Sequence, residues 1–551
     1  MTIHSKGMIK MTKTKKIVRI LLAISLLLST MSVLAMAETT VTYYIDSING
    51  DDNNSALSPE DAVKTIYGLK LDKVNPGDKF LFRNGGIYEN EIMISDWNGT
   101  KENPIVISSY GEGETAVLCT NKATEVITLV DCSYITISDL NITAPNGGGI
   151  WINTVNKESV GITLDNIYFY DMPNGKVTGR SDCQSGAAVA RAAVMVKSFP
   201  KASRYPVNDL TISNCEVYDV ANGFIIWGSW NEEGNAWVEN EADIDPVFNE
   251  NLLITDCYLH DMDAEAILIG ICNNALVTNC RMIDTCLGEG LDENGEIQFF
   301  TAACWFWGSR NSTVQYCEIA GQKNYGDGMA VDFDSYSHNC TYQYIYSHDN
   351  MRFMCNNPNY SGHHGNTVRY CLSINDNGGR SSTAVGDAGE HELNFYNNTI
   401  INSSSFHLRN MYNAIVANNI FVLEDFETIA YDADNLFRGN KITNNCFFNV
   451  LTPLVATNSI TTIPGFAGDD TDDIYSYVLS KDSPLIGAGI KIDDGLTTDF
   501  YGNEITSNNI GCYGGDGVDA PYEAETMIDQ LIRFIKNIFE TIIHEIQNLF
   551  D

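Results

Sequence analysis

A parallel β-helix is the fold this sequence predicts, and three observations predict it. A short phrase of alternating apolar residues, a polar corner and a small buried residue recurs along residues 133–450, as ITISDLNI from Ile135, LTISNCEV from Leu210, LLITDCYL from Leu252 and STVQYCEI from Ser312. Taking its third residue as an anchor gives Ile137, Leu164, Ile212, Ile254, Val277, Val314, Tyr342, Val368, Tyr396, Val416 and Ile442, with most separations between 20 and 28. A period in the twenties with strand alternation is that of coils stacking one on the next. A second apolar stretch follows most phrases, as in GFIIWGSW from Gly223, EAILIGIC from Glu265 and ACWFWGSR from Ala303, so each coil carries more than one strand.

The elements follow in chain order. Residues 1–37 read as a secretory signal peptide: Lys10, Lys13, Lys15, Lys16 and Arg19 precede an apolar run from Ile20 to Leu34, and Ala35-Met36-Ala37 supplies the small-x-small cleavage site. The expected location is therefore extracellular, with no transmembrane segment. Residues 38–130 form an N-terminal cap and first coils. Ser58-Pro59-Glu60-Asp61 reads as a helix start with Ala62, Val63, Ile66 and Leu69 behind it, and an amphipathic helix there would cover the open end of the solenoid. The acidic loop holding Asp46, Asp51 and Asp52 reads as a solvated turn, with calcium ligation as the other reading.

Residues 131–515 are the β-helix proper. Separations of 48, 42 and 37 after Leu164, Ile212 and Val277 require either a hidden coil or long loops on one side. Two residues past the anchor stand Asp139, Asn166, Asn214, Asp256 and Asn279, a polar ladder at a bend; three past it stand Cys215, Cys257, Cys280, Cys317 and Cys371, an inward column of thiols. All 15 cysteines lie beyond the leader; export permits disulfides, but the ladder positions favour buried thiols. Residues 516–551 are a linker and a helix, with Ile528, Leu531, Ile532, Ile535, Ile538, Phe539, Ile542, Ile546 and Leu549 at helical spacing. That helix is expected to dock on the solenoid or self-associate.

Charge narrows the partners. The formal charge is −38, and about −44 once the leader with its six basic residues is removed, which disfavours nucleic acid and bare polyanions. A polyuronate would need bridging cations; a neutral glycan would not.

The sharpest polar cluster is GDGMAVDFDSYSHNCTYQYIYSHDN, residues 326–350. With Val331 and Phe333 inward, Asp332 and Asp334 share the outer face of one strand, roughly 7 Å apart, and Asp327 precedes them. Such a set suits calcium ligation by Asp327, Asp332 and Asp334 or acid/base work on a glycosidic bond by Asp332 and Asp334. His348, Arg352 and Lys323 are supporting candidates. Asp349 shares its position with Asp171, Asp219, Asp261 and Asp284 and reads as a ladder aspartate. Gly228, Gly270 and Gly308 fall in one column beside Trp227, Trp230, Trp305 and Trp307, with Trp237 and Arg310 nearby; they read either as a sugar-binding groove floored by glycine or, for Trp227 and Trp307, as core. Lys197 is a candidate lyase base, four coils from Asp334 and roughly 19 Å away.

The opening YYIDSINGDD, the KTI segment at 64–66, NPGDKFLFRNGGIY and NPIVISSYG, with DSPLIGAGI, DFYGN and NIGCYGG near the end, resemble the first and last coils of right-handed parallel β-helix proteins of the pectate lyase-like superfamily, and the resemblance implies that handedness here. The DG-x-x-x-D-x-D…YSHDN stretch resembles a signature of uncharacterised secreted bacterial members. The resemblance implies a carbohydrate-active enzyme, a polysaccharide lyase with Ca2+ or a glycoside hydrolase, binding an extended glycan on the solenoid surface. The alternative is a non-catalytic glycan-binding or adhesin-like surface protein.

Overall fold

In a computed structural model the described residues are 40–520, apart from residue 72, residue 454 and the segments 174–191, 198–202, 230–244, 289–300, 358–363, 378–383, 386–391, 404–405, 409–410, 424–428 and 432–437. The leader, the terminal helix, Trp230 and Trp237 all lie outside the described residues.

Parallel pairing runs without exception through two long sheets, one of 25 strands and one of 12, which makes the chain a parallel β-helix. The phrase supplies the first sheet in two short strands per coil, as in Thr211–Ser213 with Glu216–Val220 and Leu253–Thr255 with Tyr258–His260. The second sheet runs through Gly148–Asn153, Ala192–Val196, Asn222–Trp227, Ile267–Gly270, Ala302–Trp307, Met329–Asp334 and Arg352–Asn357. Between the sheets lies one continuous apolar core that includes Ile137, Leu164, Ile212, Ile254, Val277 and Val314, all fully buried. Each such side chain contributes about 1.5–3 kcal/mol relative to exposure.

The bend in each coil has a definite cause. From Ile137 onward the residue two past the anchor is left-handed in each phrase, as with Asp139 at φ 54°, Asn166 at 51°, Asp256 at 56° and Asn279 at 56°. Asn and Asp tolerate that region best among residues with a Cβ, and one such residue lets anchor and anchor+3 both point inward. The ladder aspartates seven past the anchor are left-handed too, including Asp171, Asp261 and Asp349. The cysteine column is buried, and every described cysteine is a free thiol.

One open choice is decided and two expectations need correction. Leu164 pairs directly with Ile212, Ile212 with Ile254 and Val277 with Val314, so the long separations are loops and conceal no coil. Phe395, not Tyr396, pairs with Val368 and Val416; the tandem aromatics hid which of the two faces the lumen. At the cap, the amphipathic helix is replaced by two 3-10 turns, Pro59–Asp61 and Ile66–Gly68. Ser58 caps the first as its spacing implies, but Val63 is drawn into a bridge with Ile45. Pairing to the open strand edge satisfies the Val63 backbone and still buries Ala62 and Val63. The acidic loop is a set of side-chain-closed turns: Asp46 accepts from the Ile48 and Asn49 backbone and pairs with Arg83, while Asp52 accepts from Thr65.

The far end also differs from a simple run of last coils. After the bridges from Thr457 and Ile460 to the preceding rung, residues 464–518 fold back along the outer face of the first sheet. Val478, Leu479, Leu485, Ile510 and Tyr513 pack there on Ile420 and Cys446, and Asn418 hydrogen-bonds Ile490 twice. The outer face of those coils is apolar (Leu372, Ile374, Ile420), whereas earlier coils present Glu216, Tyr258 and Arg281 at the same columns. No helix of the described residues is long and apolar enough to cross a membrane.

Candidate active site

The strand Met329–Asp334 lies between Ala302–Trp307 and Arg352–Asn357, with Trp305, Asp332 and Cys355 in one register and Met329 opposite Arg352. Val331 and Phe333 are fully buried in the main core, so Asp332 and Asp334 stand on the outer face as the alternation implies. Beneath them, Tyr342 crosses the lumen from the first sheet, and its hydroxyl donates to the Asp332 carbonyl at 2.7 Å. That bond ties the site's backbone to the core.

The carboxyls differ in surroundings. Asp332 is 7% exposed, and its Oδ1 is buried without a hydrogen-bond partner. Burial, then the Asp334 and Asp327 carboxyls, push Asp332 well above the usual carboxylate range, against the opposing pull of Arg352; burial and like charge both favour its neutral form. Asp334 is half-buried, and its Oδ1 accepts from the Ser335 backbone N–H at 2.7 Å and from Ser335 Oγ at 3.2 Å, bonds that favour an anion. Asp327 is half-buried on the preceding loop. Its N–H donates to Asn324 Oδ1 at 2.9 Å, and Asn324 in turn donates to the Gly288 carbonyl. Gly328, at φ 52°, leaves no room for a Cβ beside the Asn324 carbonyl, so this loop holds Asp327 in one place. Arg352 is buried, with Nη2 donating to the Gly326 carbonyl at 3.0 Å.

Glu265 joins the cluster unanticipated. It is 8% exposed, and burial together with the Asp327 carboxyl pushes it up to about 7. Its signal in the sequence is positional. By register it shares an outward column with Asn222, Ala302, Met329 and Arg352, where an acid beside apolar neighbours stands out once the coils are aligned.

Other candidates go elsewhere. His348 belongs to the first sheet, where it stacks on Tyr346, lies 2.8 Å from Asp349 and reaches Glu318 at 3.4 Å; Arg281 binds the same Glu318 at 2.6 Å. This is a separate outer-face ladder on a different sheet from Asp332. Lys323 is exposed on the loop before the site strand. Lys197 is fully buried, its Nζ donating to the Ser203 carbonyl at 3.3 Å, four rows from Asp334 by strand register. Arg310 lies beyond the sheet, over the Phe248 ring.

The glycine-floored tryptophan groove is not what forms. Trp227 and Trp307 point away from the lumen, yet are 6% and 3% exposed. They meet edge to face at 5.5 Å within a second apolar cluster with Met195, Ile225 and Leu268. Gly270 is glycine because a Cβ there would sit 2.1 Å from the Trp227 ring, Gly228 because its Cβ would strike the Ile271 carbonyl, and Gly308 because it turns at φ 59°. Trp305 alone of these keeps partial exposure. Among the described residues no group of three or more His, Cys, Asp or Glu side chains is gathered closely enough to hold a metal ion.

No family model matches the chain. A lacto-N-biosidase of Bifidobacterium longum subsp. longum is 23% identical over 501 residues, covering 74% of this chain; the chain spans about 30% of that relative's length. The crystal structure of a GH136 lacto-N-biosidase from Eubacterium ramulus superposes with a TM-score of 0.51 at 20% identity, over 76% of this chain and 71% of its own. An alginate lyase from Paenibacillus sp. str. FPU-7 covers 64% of this chain and 96% of its own at 13% identity and a TM-score of 0.38, a likeness too slight to weigh. At these identities the solved structures share the fold with this chain.

Proposed function

We propose that this chain is a glycoside hydrolase that cleaves a neutral glycan at the Asp327–Asp332–Asp334 cluster. The observation that carries the reading is a set of neighbouring carboxyls on one outer face, Asp332 closed off in the strand while Asp327 and Asp334 keep accessible surface and Asp334 takes two hydrogen bonds from Ser335. Glycoside hydrolysis needs two carboxyls that reach the sugar, one to give a proton and one ionised. Asp327 and Asp334 retain accessible surface, so they face the sugar. Asp327 protonates the departing glycosidic oxygen, and Asp334 serves the anomeric carbon as nucleophile or as base for water. Asp332, deeper in the strand, lies close enough to both to feel their charge.

Two features favour hydrolysis over β-elimination. A lyase needs a basic side chain at the site, yet Lys323 is exposed on its loop, Lys197 is four rows distant and Arg352 is tied to the Gly326 carbonyl. A charge of −38 also repels a uronate chain. The relatives named lacto-N-biosidase make a glycan ending in lacto-N-biose the first substrate to try. The protein is read as exported, as its N-terminal residues imply.

The test is to incubate the chain with p-nitrophenyl lacto-N-bioside and, separately, with alginate and pectate, each with EDTA or added Ca2+. The expected result is p-nitrophenol release that EDTA leaves unchanged. Calcium-dependent absorbance near 235 nm from a uronate polymer would replace this reading with a lyase, and retention of a glycan without turnover would replace it with a binding protein.

A further inference from the structure

Glu265 and Trp305 stand on the two coils immediately before the aspartate strand. Glu265 is more than nine-tenths buried, its carboxyl taking a hydrogen bond from its own backbone N–H. Trp305 pairs in register with Asp332. Its ring packs on Ala302, Met329 and Cys355, and its Nε1–H is buried without an acceptor. Buried polar groups are ordinarily satisfied, and leaving one unmade costs about 1–3 kcal/mol. Here the buried Glu265 carboxyl, the unmet Trp305 donor and the unmet Asp332 Oδ1 occupy one outer face on successive coils about 4.8 Å apart, with Glu265 level with Ala302, three positions along the strand from the column of Trp305 and Asp332. Core packing gains nothing from that arrangement.

We propose that Glu265 and Trp305 form a sugar subsite adjoining the carboxyl cluster, Glu265 accepting hydroxyl hydrogens of a neutral sugar and Trp305 Nε1–H donating to an oxygen on the same or the adjoining ring. The subsite rests on the glycoside hydrolase reading for its ligand class. Sugars offer clustered groups that both donate and accept, which matches an acceptor and a donor set one coil apart beside a partly exposed indole. The short span from Trp305 to Glu265 suits the one or two rings next to the scissile bond.

The experiment is calorimetric titration of free lacto-N-biose, which as the released sugar is not turned over, into the parent chain and into the same chain carrying Trp305→Phe or Glu265→Gln. Melting curves accompany each variant. Trp305→Phe keeps the aromatic face and loses only the donor, so a fall in affinity of about 3- to 10-fold is expected; Glu265→Gln is expected to lose more than about 10-fold. If Glu265→Gln does not fold, Trp305→Phe decides alone. Affinities within twofold of the parent, or no binding by the parent, overturn the subsite. Turnover of p-nitrophenyl lacto-N-bioside by the unmodified chain is read alongside. Turnover with unaffected affinities leaves the hydrolase and removes the subsite, while variant-sensitive binding without turnover leaves the subsite and removes the hydrolase.

Discussion

Burial sets the chemistry of the acidic residues one by one. Asp332 and Asp334 are two positions apart on one strand, yet the first is closed off with an unmatched oxygen and the second takes two hydrogen bonds from Ser335. Glu265 shows the same effect in stability. Its folded-state value near 7 lies above the ordinary 4.5, so the folded chain holds its proton more tightly than the unfolded chain does. The resulting stabilisation is full below about pH 4.5 and is lost as pH rises through about 7, a difference on the order of 3 kcal/mol. Glu265→Gln should therefore melt higher than the parent at pH 8 and close to it at pH 4.5; equal melting at both would mean that Glu265 is not buried as described. Asp332 and Asp334 were legible from alternation alone, because Val331 and Phe333 mark the inward face. Glu265 was not, since no local pattern distinguishes an outward acid that water reaches from one that neighbouring coils bury. His348 misled for a related reason: it follows the aspartates by fewer than twenty residues, but in a coil that distance crosses to the other sheet.

At the level of the coil, one left-handed residue does the bending. Asn279, at φ 56°, should accept glycine with little change in stability. Valine there should cost about 1–2 kcal/mol, because a β-branched side chain clashes in that region; denaturant melts of Asn279→Gly and Asn279→Val check this. The Asn/Asp ladder was readable as a corner, and the thiol column as core. Burial pushes Cys371 up to about 12, so a thiol reagent at pH 8 should leave the folded chain's column unmodified and label it on unfolding. What resisted reading were positions where two residues of similar chemistry adjoin, as with Phe395 and Tyr396, and where a capable helix start lost to an open strand edge, as at Val63. Trp227 and Trp307 stand outward on one column and are buried under an apolar cluster. Their outward direction follows from alternation, whereas the apolar cluster over them is assembled from several coils and has no local signature.

Across the whole molecule, the two faces of the solenoid have diverged in use. The first sheet's outer face is sealed toward the C-terminal end by residues 464–518, and its last coils are apolar to receive them. A chain ending at Ile463 should expose Leu372, Ile374 and Ile420, bind a hydrophobic dye and melt lower; unchanged melting would show the fold-back to be dispensable. The second sheet's outer face carries the carboxyl cluster instead. The repeat announced the stack, but a return along its side leaves no period to detect. The central claim is that Asp327 and Asp334 share acid and carboxylate work at this face. It is tested most directly by the turnover of p-nitrophenyl lacto-N-bioside by the parent, Asp327→Asn and Asp334→Asn at matched melting temperature. The account predicts that each substitution lowers kcat by at least about 100-fold while the fold persists; turnover within a few-fold of the parent in either variant would contradict it.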